Sequence, residues 1–163
     1  MDQMVAAVFD AYPELLRQRL LDLRQLIHET AAATVGVGAL EETLKWGQVS
    51  YLTTASGSGS TVRIDRDKAS GQPAIYVNCK TDLLSRYREL YPDAFGYDGD
   101  RGVLVGDAPD QAALQHVIAL ALTYHINKKS AGLISRALCL RGCRVRPWRC
   151  RVAGPACRPG RGG

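Results

Sequence analysis

Seven side chains in the body of the chain are of the types that build a ligand pocket: Trp46, Tyr51, Tyr76, Asn78, Tyr124, His125 and Lys128. Indole and phenol rings supply apolar walls with polar tips, while Asn78, His125 and Lys128 supply directed hydrogen bonds. If the strands and helices that carry them converge, a small ligand or a protein partner has a place to bind. Each residue also has a plainer use. His125 continues an apolar helical stripe, where a buried histidine hydrogen-bonded to a carbonyl fits equally. Cys79 alternates with Ile75 and Val77, as a small core hydrophobe would. A Cys79–His125 nucleophile pair would require a contact that spacing alone does not supply.

Enzyme motifs are absent from the sequence. There is no hydrolase elbow, P-loop, dinucleotide fingerprint or zinc-hydrolase helix. Gly57-Ser58-Gly59 is a loop tip with no helix after it, so it is no phosphate cradle. The expectation is a binding protein rather than a catalyst.

Charge must be divided before it is interpreted. The 163 residues are 46% hydrophobic and 23% charged, with a formal net charge of +5. This apolar content excludes disorder throughout, and no collagen-like or heptad period appears. No apolar run exceeds six residues, as in Val117–Leu122, too short for a membrane span. Residues 136–163 hold eight arginines and no acid, leaving 13 basic and 16 acidic groups in residues 1–135, a net of −3. Any field that steers phosphates therefore sits on the tail. Rich in Arg, Gly, Pro and Cys, the tail has little to bury and is expected to be unstructured. Cys139, Cys143, Cys150 and Cys157 could hold zinc, although the tight Cys-x2-Cys knuckle is missing. The arginines with Trp148 could instead form a nucleic-acid arm. GC-rich coding sequence read out of frame yields the same composition, so nucleic acid is a partner only if the tail is genuine.

The elements that must position the candidates are an α+β set. A short helix is expected over 4–11. A second begins at Pro13 and runs to Ala33, with Leu16, Leu20, Leu23 and Ile27 as its apolar stripe. Thr43–Thr54 reads as one strand, Ala55–Ser60 as a flexible turn, and Thr61–Asp65 as a strand with Val62 and Ile64 inward and Arg63 outward. Ala74–Cys79 is a third strand. Thr81 is the expected N-cap of a helix over Asp82–Leu90. A turn-rich patch, Asp93–Arg101, leads to a strand at Gly102–Val105. Asp107 and Pro109 open the last helix, whose stripe is Leu114, Ile118, Ala121 and His125. Few parallel crossovers are implied, so the fold expected over 1–135 is one α+β domain: an antiparallel sheet of about four to five strands flanked by helices.

The segment Glu41-Glu42-Thr43-Leu44-Lys45-Trp46-Gly47-Gln48-Val49-Ser50-Tyr51-Leu52 resembles the signature of the YdhG-like domains, domain of unknown function 1801. Tyr12-Pro13, Val77-Asn78-Cys79-Lys80-Thr81, Leu90-Tyr91-Pro92-Asp93 and Tyr124-His125-x-x-Lys128-Lys129 follow in that family's order, over about residues 5–130. Val49 stands where the family usually has Pro. The resemblance implies a frataxin-like sheet flanked by helices and an intracellular iron-chaperone role, with iron as cargo and a metal-receiving protein as partner. Such delivery would use hard oxygen ligands on an exposed surface. Asp93, Asp98 and Asp100, around Gly96 and Gly99, are the first candidates; Asp10, Glu14, Glu41 and Glu42 form a second grouping. The opening Met1-Asp2-Gln3 carries neither a basic nor an apolar leader region, and the expected address is the cytoplasm.

Overall fold

The structure is a computed structural model and describes residues 2–130; the expectations for residues 136–163 fall outside the described residues. Within them lie a six-stranded antiparallel sheet and five helices, one to two strands more than expected. Helix α1 (Gln3–Asp10) is capped by the carboxylate of Asp2, which accepts from the Met4 amide at 2.9 Å. Helix α2 (Glu14–Ala33) follows Pro13 as its spacing predicts, burying Leu20, Leu23 and Ile27. The sheet comprises β1 (Glu41–Lys45), β2 (Gln48–Leu52), β3 (Val62–Arg66), β4 (Pro73–Tyr76), β5 (Gly96–Asp98) and β6 (Gly102–Leu104). Helix α3 (Leu83–Leu90) separates β4 from β5. After β6 come α4 (Gln111–Leu122) and a last helical stretch, α5 (124–130). None of the described helices is long and apolar enough to cross a membrane.

Strand order is β1-β2-β3-β4-β6-β5, with every neighbouring pair antiparallel. Directly opposed residues share a face, so the register defines two rows across all six strands. One row is Leu44, Val49, Ile64, Ile75, Val103 and Tyr97. Its four central members are buried beneath α2 and α4. The other row is Thr43, Ser50, Arg63, Tyr76, Gly102 and Asp98, and it faces away from that core. Val49, in place of the resembled family's Pro, pairs with Leu44 and Ile64 and lies in the core row.

Several boundaries differ from expectation. Thr43–Thr54 is not one strand, because Trp46 and Gly47 both adopt positive φ (54° and 79°) and turn the chain back on itself. The turn-rich patch contributes β5, a strand of only three residues. Asp82 rather than Thr81 precedes α3, and the Thr81 hydroxyl instead donates to the Asn78 carbonyl at 2.6 Å. Asp110 caps α4, accepting from the amides of Ala112 and Ala113.

The supposedly flexible turn at 55–60 is docked. The Ser58 hydroxyl donates to the Leu122 carbonyl at 2.8 Å, and the Ser60 amide donates to the Ala121 carbonyl at 2.9 Å. The Ser58 carbonyl in turn accepts from the amides of His125 and Ile126. Orphan carbonyls at the end of α4 and orphan amides at the start of α5 are thus satisfied by one loop. Gly59 permits this approach: a Cβ there would lie 2.3–2.5 Å from Leu122 backbone atoms. We expect Gly59→Ala to destabilise the protein by about 1–3 kcal/mol in urea unfolding, the usual cost of overpacking. Gly106→Ala, where no atom lies within 4 Å, is the control expected to unfold like the parent.

Candidate functional site

The outward row carries the site. Arg63 sits at its centre, on β3 between Ser50 of β2 and Tyr76 of β4. Its guanidinium donates to the Gln48 side-chain oxygen at 3.0 Å. Gln48 donates in turn to Asp65 at 2.8 Å, and Asp65 accepts a second bond from the Tyr12 hydroxyl at the α1–α2 junction. This relay fixes where the Arg63 side chain points. Tyr76 fits beside it because Gly102 has no side chain; a Cβ at Gly102 would sit 3.2 Å from the Tyr76 ring.

Over Arg63 lies Trp46. The guanidinium carbon is 5.1 Å from the indole centroid, and Trp46 is 86% exposed. Two consecutive residues at positive φ are what a two-residue hairpin of the I′ kind demands, and Asn-Gly is the pair it favours. A tryptophan in the first position costs about 1–2 kcal/mol of backbone strain, of which the cation–π contact returns about 0.5–1. Local stability therefore does not account for this residue.

Two clefts open on this face and share Trp46, Arg63 and Arg101. The first, of about 390 Å³, is completed by Lys45, Thr61, Asn78 and Cys79. It holds three cations and no carboxylate. Among the described residues none of Lys45, Arg63 and Arg101 forms an ion pair. Burial, followed by the charge of Arg101, pushes the Arg63 pKa below its ordinary value. The side-chain oxygen of Asn78 accepts from the Lys80 amide at 3.0 Å, which leaves its NH2 group for the cleft. The second cleft, about 340 Å³, is of mixed charge and includes Gln48, Asp65, Tyr76 and Asp98. Burial and then the carboxylates of Asp67, Asp65 and Asp98 push the Tyr76 phenol up to about 12.

The seven expected pocket residues do not converge on one place. Trp46 and Asn78 line the first cleft and Tyr76 the second. Tyr51 is fully buried and belongs to the opposite face, since it lies two residues from core-facing Val49. Tyr124 and Lys128 line a separate cleft with Lys80 and Arg86, the Lys128 ammonium 5.9 Å from the Tyr124 ring. His125 is exposed rather than buried, because α4 ends at Leu122 and its stripe ends there too. Cys79 is likewise exposed, because β4 ends at Tyr76 and alternation stops with it. Among the described residues no three His, Cys, Asp or Glu side chains group so as to hold a metal ion, so Asp93, Asp98 and Asp100 are not brought together as ligands. Asp98 lies in the second cleft near Arg101. Lys45, Gln48, Arg63 and Arg101 escaped the sequence-based site; the outward direction of Arg63 was read but not used, and parity with it was the signal that could have found Gln48.

Across the sheet, buried Tyr51 joins a partly buried polar cluster. Glu42, directly opposite it on β1, takes a two-pronged ion pair from Arg24 of α2 at 2.6 and 2.9 Å. His28, one turn further along α2, has its Nε2 3.9 Å from Glu42 and its ring edge-on to Tyr51. His28 Nε2 and the Tyr51 hydroxyl are both buried without a hydrogen-bond partner. Burial raises the Glu42 carboxyl, but the Arg24 hydrogen bond and charge outweigh it and the net shift is downward. Burial, then the Arg24 charge, lowers the His28 pKa from its ordinary 6.5.

Neither a family model, nor a curated protein, nor a solved structure matches this chain. The geometry above therefore carries the functional reading alone.

Two outcomes follow. Folding lowers the His28 pKa, so its contribution is fully present above pH 6.5 and is lost as pH falls through its lowered folded value. The urea midpoint should therefore decline between pH 7 and pH 5, and His28→Gln should flatten that decline. Replacing the strained indole, Trp46→Asn, should leave stability unchanged or raise it by up to about 1 kcal/mol in thermal unfolding. A loss larger than that would make Trp46 a structural residue.

Proposed function

We propose that this protein is a small-ligand-binding module that holds an anion in the cleft beneath Trp46. The observation that carries this reading is the trio Lys45, Arg63 and Arg101, which lines one cleft with no carboxylate among the lining residues and, among the described residues, no ion pair to satisfy it. Guanidinium groups are weakly hydrated forks suited to carboxylate and phosphate oxygens. Here one of them is preset by the Gln48–Asp65 relay, so little side-chain entropy remains to be lost on binding. At about 390 Å³ the cleft has the size range of small-molecule sites.

Iron delivery, which the YdhG-like resemblance implied, finds less support in this arrangement. Asp65, Asp67 and Asp98 line the second cleft, but among the described residues no three such side chains group so as to hold a metal ion, and the first cleft is lined by cations without a carboxylate. The thiol of Cys79 lines the cleft while His125 lines neither cleft of this face, so the cleft does not bring that nucleophile and base together.

Calorimetric titration of the full chain with inorganic phosphate, pyrophosphate and citrate at low salt tests the proposal. At least one should bind saturably. Arg63→Gln and Arg101→Gln should each weaken it about tenfold or more, since a hydrogen bond to a charged group contributes about 1.5–3 kcal/mol. Absence of saturable binding of all three at millimolar concentration would remove the proposal.

A further inference from the structure

We infer that the ligand is a mononucleotide, its phosphate held by Lys45, Arg63 and Arg101 and its base stacked on Trp46. This rests on the anion-binding reading and adds the chemistry of the ligand's other end. The Arg63 guanidinium covers one face of the indole, and with 86% of the residue exposed the other face is bare among the described residues. An uncovered indole at the mouth of a cationic cleft is a stacking platform, and every nucleobase presents a π-face to it. Trp46 holds this position in a backbone conformation that a small residue would adopt with less strain. A function outside the fold explains that exchange of stability for an exposed ring.

The surroundings match the remaining groups of such a ligand. Asn78 has a free amide donor in the first cleft. Asp98 in the adjoining cleft offers an acceptor for sugar hydroxyls or base amino groups, while Asp65 there is held by Tyr12, Gln48 and the Arg66 amide. Those same carboxylates, with Asp67, oppose a phosphate chain extended across the face. Residues 1–135 also carry a net charge of −3, so counterion release offers a continuous strand little. One phosphate is what three clustered cations in an otherwise acidic body accommodate.

The full chain bearing Trp148→Phe leaves Trp46 as its single tryptophan and serves as the reporter. Fluorescence and calorimetric titrations at physiological ionic strength would compare inorganic phosphate, ribose 5-phosphate, adenosine and adenosine monophosphate. Adenosine monophosphate should bind at least tenfold more tightly than ribose 5-phosphate and quench Trp46. Trp46→Asn, which suits the turn, should bring it down to the ribose 5-phosphate level while inorganic phosphate binds as before. Equal affinity for the two monophosphates, or nucleotide affinity that survives Trp46→Asn, would overturn the base-stacking inference and leave the anion site standing. Failure of every phosphate to bind would remove both. A single-stranded oligonucleotide that binds tenfold more tightly than the mononucleotide, and loses that advantage on Trp46→Asn, would overturn the inference in favour of a strand.

Discussion

Pairing register is the constraint on which the rest depends. Because side chains alternate with a period of two, a slip of one residue between β2 and β3 would exchange Ile64 for Arg63 beneath the helices. A guanidinium among Val49, Ile75 and Val103 would be desolvated without a partner, and the sheet would lose its core row at the same time. The cost of that error makes the alternative rows mutually exclusive. Building the apolar layer thus places Arg63, Tyr76 and Asp98 together on the far side. Core formation supplies the strand residues of this face, while Trp46, Asn78 and Arg101 are added by the turns and loops that join the strands.

What the open face gains in exposure it must recover in local order. Arg63 is held by Gln48, Gln48 by Asp65, and the Trp46 ring lies over Arg63. The covered face has its own polar exception in Arg24, Glu42 and His28, where a paired charge sits close to the core. Breaking such a pair costs more than forming it contributes, because the remaining charge stays desolvated. The two faces therefore use ions differently: on one side they are neutralised within the protein, and on the other Lys45, Arg63 and Arg101 have no ion pair among the described residues.

Much of the architecture was legible in the amino-acid sequence. The stripe of α2, the inward Val62 and Ile64 and the α+β class follow from periodicity, and the structure has them. Misses have local causes. Thr43–Thr54 is uniformly rich in β-formers, and tryptophan is no turn residue, so only Gly47 hinted at the hairpin. Losing that turn also hid the fact that Lys45 and Gln48 occupy adjacent strands. Strand β5 has three residues and too little pattern to read. For the site, Trp46, Tyr76 and Asn78 were recognisable by type, but Tyr51 was grouped with them against its parity with Val49. Cys79 and His125 were assigned by extending an alternation and a stripe past the residues where β4 and α4 stop. Arg101 lies in a turn, and a turn has no period from which to assign it a face.

The Tyr12 hydroxyl reaches Asp65 across 53 residues of sequence, from the hinge between the first two helices to the network that aims Arg63. The first helix is thereby tethered to the rim of the cleft by a chain of four side chains. A displacement of the junction between these two helices would therefore act directly on the side-chain network that aims Arg63.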